Sequence, residues 1–188
     1  PYTYFTSGDL HLGEISLECS RPGAAAVALW ATQRLLPLAR GGEFARSLAQ
    51  CRSAALALYE KLRADARFIV AFPPELDILV WAPRPEPSGP RATSVSEISA
   101  LSRRLFTEAA QRNLHLALAN LPARFFPEVA GAGLKAAAAN PIVRDAETLT
   151  CLRSVLMKPA HLEWLERIWA ILDQATHASL QSRAKVRE

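Results

Sequence analysis

Arg67-Phe68-Ile69-Val70-Ala71-Phe72, then Pro73-Pro74-Glu75-Leu76, then Asp77-Ile78-Leu79-Val80-Trp81, is the stretch on which the fold turns. Two short runs rich in β-branched and aromatic residues flank a proline pair that ends a strand, so the spacing predicts a hairpin-like pair of strands. Ahead of it, Phe44, Leu48, Cys51, Ala55, Leu58 and Leu62 recur every three to four residues, which predicts one long amphipathic helix over Glu43 to Ala66. Behind it, Pro83 to Pro90 holds four prolines and a glycine and reads as a loop. Helix returns from Ser94 to Asn113, with Ile98, Leu101, Leu105 and Ala109 on one side. Leu114 to Leu121 and Thr148 to Met157 read as strands. Gly131 to Pro141 reads as helix or loop, and Ala160 to Ala178 is a helix striped by Leu162, Leu165, Ile168, Trp169 and Leu172. Helix, two strands, helix, strand, strand, helix predicts an α+β layer, with helices covering one face of a small, mainly antiparallel sheet.

Upstream of this layer, Ser20-Arg21-Pro22-Gly23 combines an N-cap with a proline near the first helical position, so a helix is expected over Ala24 to Leu36, ended by Pro37 and Gly41-Gly42. Pro1 to Leu17, with Tyr2, Tyr4 and Phe5 before the turn cluster Ser7-Gly8-Asp9, reads as a loop leading into a short strand at Ile15 to Leu17.

Composition bounds the answer further. The 188 residues are 50% hydrophobic and 21% charged, which suits one packed domain and excludes collagen-like, coiled-coil and wholly disordered classes. No apolar run approaches the roughly 20 residues of a membrane span. The formal charge is +4, but 18 of the 22 basic residues are scattered arginines. Arg183, Lys185 and Arg187 form the nearest thing to a stripe and read as a solvated C-terminus, so no nucleic-acid partner is expected. Cys19, Cys51 and Cys151 are far apart and show no metal-ligand spacing, so neither a metal site nor a disulfide framework is expected, and a cytoplasmic location fits. The chain begins at Pro1 without Met or an export signal, which reads as processing or as part of something longer.

The catalytic inventory is thin. His11, His115, His161 and His177 are spread along the chain, Gly131-Ala132-Gly133 lacks the third glycine of a dinucleotide loop, and none of the four lysines looks desolvated. Two arginines stand out. Arg21 precedes a helix N-terminus, where backbone N–H groups already favour an anion; a phosphate or carboxylate there, or a salt bridge at a domain or subunit contact, both account for it. Arg153 lies in the apolar strand Cys151-Leu152-Arg153-Ser154-Val155-Leu156 and must face a partner or an edge, because an unpaired buried charge costs several kcal/mol. Planar bidentate carboxylate binding is the use for which its guanidinium is best shaped.

Three segments together carry a resemblance: Ser20-Arg21-Pro22-Gly23-Ala24-Ala25-Ala26 followed by Trp30, Pro74-Glu75-Leu76-Asp77-Ile78-Leu79-Val80, and Leu152-Arg153-Ser154-Val155-Leu156-Met157-Lys158-Pro159-Ala160. In this order they resemble the C-terminal half of the pyridoxal-phosphate-dependent group II amino-acid decarboxylases, a family of fold type I that includes glutamate, aromatic amino-acid and diaminobutyrate decarboxylases. Sphingosine-phosphate lyase is a relative with a similar Ser-Arg-Pro-Gly turn. The resemblance implies an α/β family fold of the aspartate-aminotransferase type, of which residues 1–40 end the large cofactor-binding domain and residues 41–188 form the α+β small domain.

The same resemblance implies roles. Cys19, Ser20 and Arg21 match a turn that approaches the cofactor phosphate of the neighbouring subunit, although the closest-looking relatives tend to have glycine at Cys19. Arg153 matches the arginine that holds the substrate α-carboxylate. The loop from Tyr2 to Ile15 matches one that reaches over the partner subunit's active site, where Tyr2, Tyr4 or His11 would help protonate the carbon that has lost CO₂; Tyr2 and Tyr4 as simple packing aromatics is an equal reading. The implied cofactor is pyridoxal 5'-phosphate and the implied partners are an amino-acid substrate, a second subunit in a homodimer, and an upstream portion bearing the cofactor-binding lysine and its acidic companion. Without that portion this chain is expected to be inactive. A carbon–carbon lyase and a non-catalytic dimerisation or interaction domain are the alternatives.

Overall fold

The computed structural model describes residues 23–85, 92–130 and 141–185. The chain falls into two compact units, Pro1–Arg46 and Ser47–Glu188. In the first, helix α1 spans Gly23–Leu35. Its strong helix formers make it, and Pro37 stops it after Leu36 N–H has bonded to the Thr32 carbonyl. None of its residues is buried, and Val27, Leu29 and Trp30 are each at least 60% exposed. Gly41 follows at φ +72°, a left-handed conformation that glycine adopts without a Cβ clash.

Helix α2, Glu43–Ala64, starts in the first unit and continues into the second. Of its expected stripe, Cys51, Ala55, Leu58 and Leu62 are buried, together with Ala54, while Leu48 is exposed. The hairpin follows as the sequence predicts: β1, Phe68–Val70, pairs antiparallel with β2, Ile78–Pro83. The short strand β3, Thr93–Ser94, leads into helix α3, Val95–Gln111, with Ile98, Leu101, Leu105 and Ala109 fully buried. After β4, Ala117–Pro122, come a 3₁₀ turn at Ala123–Phe125 and the single turn α4, Pro127–Ala130. Strand β5, Ile142–Val143, strand β6, Thr148–Val155, a 3₁₀ turn at Pro159–His161 and helix α5, Leu165–Lys185, complete the described chain.

Strands β1-β2-β6-β4 form one four-stranded sheet, antiparallel throughout. Alternation along the strands splits its side chains between two cores. Phe68, Val70, Leu79, Trp81 and Leu152 share one face and pack with Ala54, Leu58 and Leu62 of α2, Leu105 and Ala109 of α3, and Leu165, Leu172 and Ala175 of α5. Ile69, Val80, Ala82, Leu149 and Cys151 share the other and pack with Val95 and Ile98 of α3, Ala123, Phe126 and Val129, and Ile142. The expected α+β architecture is therefore present, with one difference: both sheet faces carry a core, the second packed against Ala123, Phe126, Val129 and Ile142 and the first turn of α3.

Two local expectations are corrected, and one pairing is added. The strand expected from Leu114 begins at Ala117, because Asn113 adopts φ +59° and Leu114 N–H bonds back to the Ala109 carbonyl, which uses the intervening residues to close α3. The last helix begins at Leu165 rather than Ala160, because Pro159 opens a 3₁₀ turn first. The two-residue parallel pairing of β3 with β5 was not foreseen, being too short to leave a period in the sequence. The expected strand at Ile15 to Leu17, the segment Gly131 to Pro141 as far as Asn140, and most of the Pro83 to Pro90 loop lie outside the described residues.

Candidate functional site: an arginine on an open sheet face

Arg153 occupies β6, which has β2 on one side and β4 on the other, so it is not on an edge strand. The register pairs Val80 with Arg153 and Arg153 with Ala117, and pairs Ile78 with Val155. By the alternation of the strands, Arg153 lies on the face of the second core, in line with Leu149 and Cys151. Those two are fully buried, whereas Arg153 is exposed. Around it the floor is apolar: Ile78 is 43% exposed, and Val155 and Ala117 are half-buried.

Among the described residues no carboxylate forms an ion pair with Arg153. The two environments allowed for it by sequence, a partner or an edge, are thus replaced by a third. It stands on an interior strand with its side chain exposed. Such an arginine over an apolar floor is suited to a ligand carboxylate, offering parallel N–H donors in one plane.

Tyr2, Tyr4, His11, Cys19, Ser20 and Arg21 lie outside the described residues. The other singled-out groups are placed. Cys51 and Cys151 are buried thiols; burial pushes the Cys151 thiol up to about 11, and burial followed by the nearby Asp77 charge raises that of Cys51. Neither is an activated nucleophile. Lys61 bonds to Glu166 at 2.9 Å, and Lys158 is exposed beyond β6. No group of three or more metal-ligating side chains occurs among the described residues, and no helix among them is long and apolar enough to cross a membrane.

Ile78, Val155 and Ala117 are the companions of Arg153 that sequence reasoning missed. Alternation marks each as facing one side of its strand, but their grouping depends on the pairing of β2 with β6 and of β6 with β4, and no local signal encodes those registers.

The described residues alone do not make a pyridoxal-phosphate site. Among the described residues, the register partners of Arg153, Val80 and Ala117, supply neither a lysine nor a carboxylate.

No family model matches this chain, and no curated protein does. Solved structures do. Tryptophan decarboxylase of Catharanthus roseus, in complex with L-tryptophan, is 14% identical, with a TM-score of 0.54 over 82% of this chain and 26% of its own. The TDC of Oryza sativa, with PLP and tryptamine, is 15% identical, with a TM-score of 0.54 over 81% of this chain and 26% of its own. The likeness is one of fold: the α+β layer described above is shared with part of those proteins. This chain spans about a quarter of the length of the structures it matches.

Proposed function

We propose that this chain is the C-terminal portion of a pyridoxal-phosphate-dependent carboxy-lyase that removes the α-carboxylate of an L-amino acid, giving an amine and CO₂. Residues 1–40 would end the large domain and residues 41–188 form the small one. The observation that carries the reading is the coincidence of two independent features: a fold shared with tryptophan decarboxylases, and an arginine without an ion-pair partner among the described residues, at the strand position where the sequence resemblance puts a carboxylate clamp.

In this reading Arg153 binds the substrate carboxylate through two parallel hydrogen bonds, and Ile78, Val155 and Ala117 keep water from one side of that pair, which strengthens it. Ser20, Arg21 and the backbone at Cys19 hold the cofactor phosphate of the neighbouring subunit, and Tyr4 or His11 delivers a proton over the partner's site. The cofactor supplies an electron sink for the electrons left by CO₂; its lysine and its acidic companion come from an upstream portion. A site shared across subunits requires a homodimer at least, and cytoplasmic cofactor chemistry suits the unpaired thiols.

The test is made on the full-length protein that contains this chain. It is expected to show a visible cofactor band and to release CO₂ from an L-amino acid. Arg153→Ala removes a charge-assisted pair worth about 1.5–3 kcal/mol, so KM for that amino acid should rise roughly 10- to 150-fold while the cofactor band is retained. A protein without the band, or without CO₂ release from any L-amino acid, rejects the reading. An activity on a phosphorylated amine that survives Arg153→Ala points to a carbon–carbon lyase instead.

A further inference from the structure

At the far end of β6 the 3₁₀ turn and the start of α5 stand off from the sheet and leave a cavity of about 500 Å³. Its wall is apolar: Leu58, Leu116, Leu156, Ile168 and Ile171 line it, and Met157 and Trp164 stand at its mouth, 66% and 55% exposed. Its charge is one-sided. Arg112, Lys158 and Arg167 line it, with the rings of His115 and His161 beside them, and no Asp or Glu does. Two histidines that lie 46 residues apart in the chain are brought together here by the return of β6 beside the α3–β4 turn.

The acidic residues nearby are engaged elsewhere or stand aside. Glu108 bonds to Arg112 at 2.7 Å and offsets that cation, Glu166 is held by Lys61, and Glu163 is exposed and does not line the cavity. Lys158 and Arg167 remain as exposed cations, the Arg167 guanidinium lying 5.9 Å from the Trp164 ring centroid. The Nδ1 atom of His161 is buried and has no hydrogen-bond partner among the described residues.

We propose that this cavity is a binding site for a free monocarboxylic acid with an apolar body, its chain or ring against Leu116, Leu156 and Ile171 and its carboxylate at the Lys158, His161 and Arg167 rim. The volume falls within the roughly 300–1,000 Å³ of small-molecule sites, and an apolar wall with a few convergent polar groups is their usual lining. The charge pattern selects the ligand. A neutral hydrophobe leaves the rim cations without a counterpart, a cation is repelled by them, and an acid matches both wall and rim. Arg153 does not line this cavity, although Val155, which flanks that arginine, does; the two sites are told apart because the variants tested below leave Arg153 and Val155 in place.

Trp164 gives a direct readout. A bromine atom quenches indole fluorescence on contact, so 10-bromodecanoate added to the full chain is expected to quench it saturably. Half-saturation should come at concentrations at least tenfold lower than for 10-bromodecan-1-ol. The double variant Lys158→Glu, Arg167→Glu, with an unchanged far-ultraviolet circular dichroism spectrum, should lose at least tenfold in affinity. Trp164→Phe should lose the quenching while calorimetry still detects the acid. Equal quenching by acid and alcohol, indifference to the charge reversals, no saturation in the millimolar range, or quenching by brominated-lipid vesicles alone would each overturn the proposal.

Discussion

Trp81 is fully buried, its ring meets Phe68 edge-on at 5.3 Å between centroids, and its indole N–H donates to the Ser154 hydroxyl at 2.9 Å. Ser154→Ala leaves that N–H buried without an acceptor, so a loss of about 1–3 kcal/mol is expected in urea unfolding, well above the effect of a surface change. Arg67 is a second tie, bonding to Asp65 at 2.6 Å in the turn after α2 and to Asp173 at 2.8 Å in α5. The Arg67 hydrogen bonds hold the Asp65 carboxyl below the usual range, against the opposing effect of its burial. A carboxyl depressed in the folded state contributes stability above its unfolded value, near 4, and loses it as pH falls through the folded one. The urea midpoint of the native chain should therefore fall more steeply below about pH 5 than that of Arg67→Met, which starts lower; parallel curves would refute the coupling. The buried thiols give a third check. In a Cys19→Ser background, Cys51 and Cys151 are expected to stay silent to a disulfide reagent at pH 8 and to react once urea unfolds the chain. At this scale the sequence announced residue types and not partnerships. Arg153 stood out because a charge interrupts an apolar strand, whereas nothing local ties Ser154 to Trp81, 73 residues away.

Elements were more legible than residues, since their signals are periods and caps. Helix α3 begins with a capping box: Ser94 Oγ accepts from Glu97 N–H at 3.2 Å and Glu97 Oε2 accepts from Ser94 N–H at 3.1 Å. A third acceptor, the Asp145 carboxylate, takes Ser96 N–H at 2.9 Å, and that bond is the main cause of the downward shift of the Asp145 carboxyl. Ser94→Ala should cost about 1 kcal/mol of unfolding free energy. Ser94→Asp, which keeps an acceptor there, should recover most of the loss in the same urea titration, and failure to recover would assign the effect to the β3–β5 pairing instead. The long helices and the β1–β2 hairpin were readable because three or more turns, or a proline-bounded pair of runs, repeat their signal. The start of β4 was not, because Leu114 and Leu116 continue an apolar alternation while hydrogen bonding assigns the residues after Gln111 to closing a helix. Competition between two uses of one backbone N–H leaves no mark in side-chain pattern.

For the whole molecule, what matters is where the buried surface lies. Every buried hydrophobic residue in the described chain is at Cys51 or beyond, and both cores are built from the sheet, α2, α3, α5 and Ala123, Phe126, Val129 and Ile142. In the first unit, no residue of helix α1 is buried. Antiparallel pairing of β6 with β2 brings residues more than 70 positions apart into register, and its pairing with β4 adds Ala117, which is why the apolar floor around Arg153 was invisible in a sequence that displayed the arginine itself. This distribution makes the proposed division after residue 40 testable. A chain beginning at Gly41 keeps all of α2 and both cores and removes no buried hydrophobic side chain of the described residues. Followed by tryptophan fluorescence in urea, it should unfold in one cooperative transition, within about 0.5 kcal/mol of the intact chain, because removing exposed residues changes stability little. The m-value should also hold, since the area exposed on unfolding is set by cores that the truncation leaves whole. Loss of the cooperative transition would mean that residues 1–40 carry part of the small domain's stability, and the division would have to move.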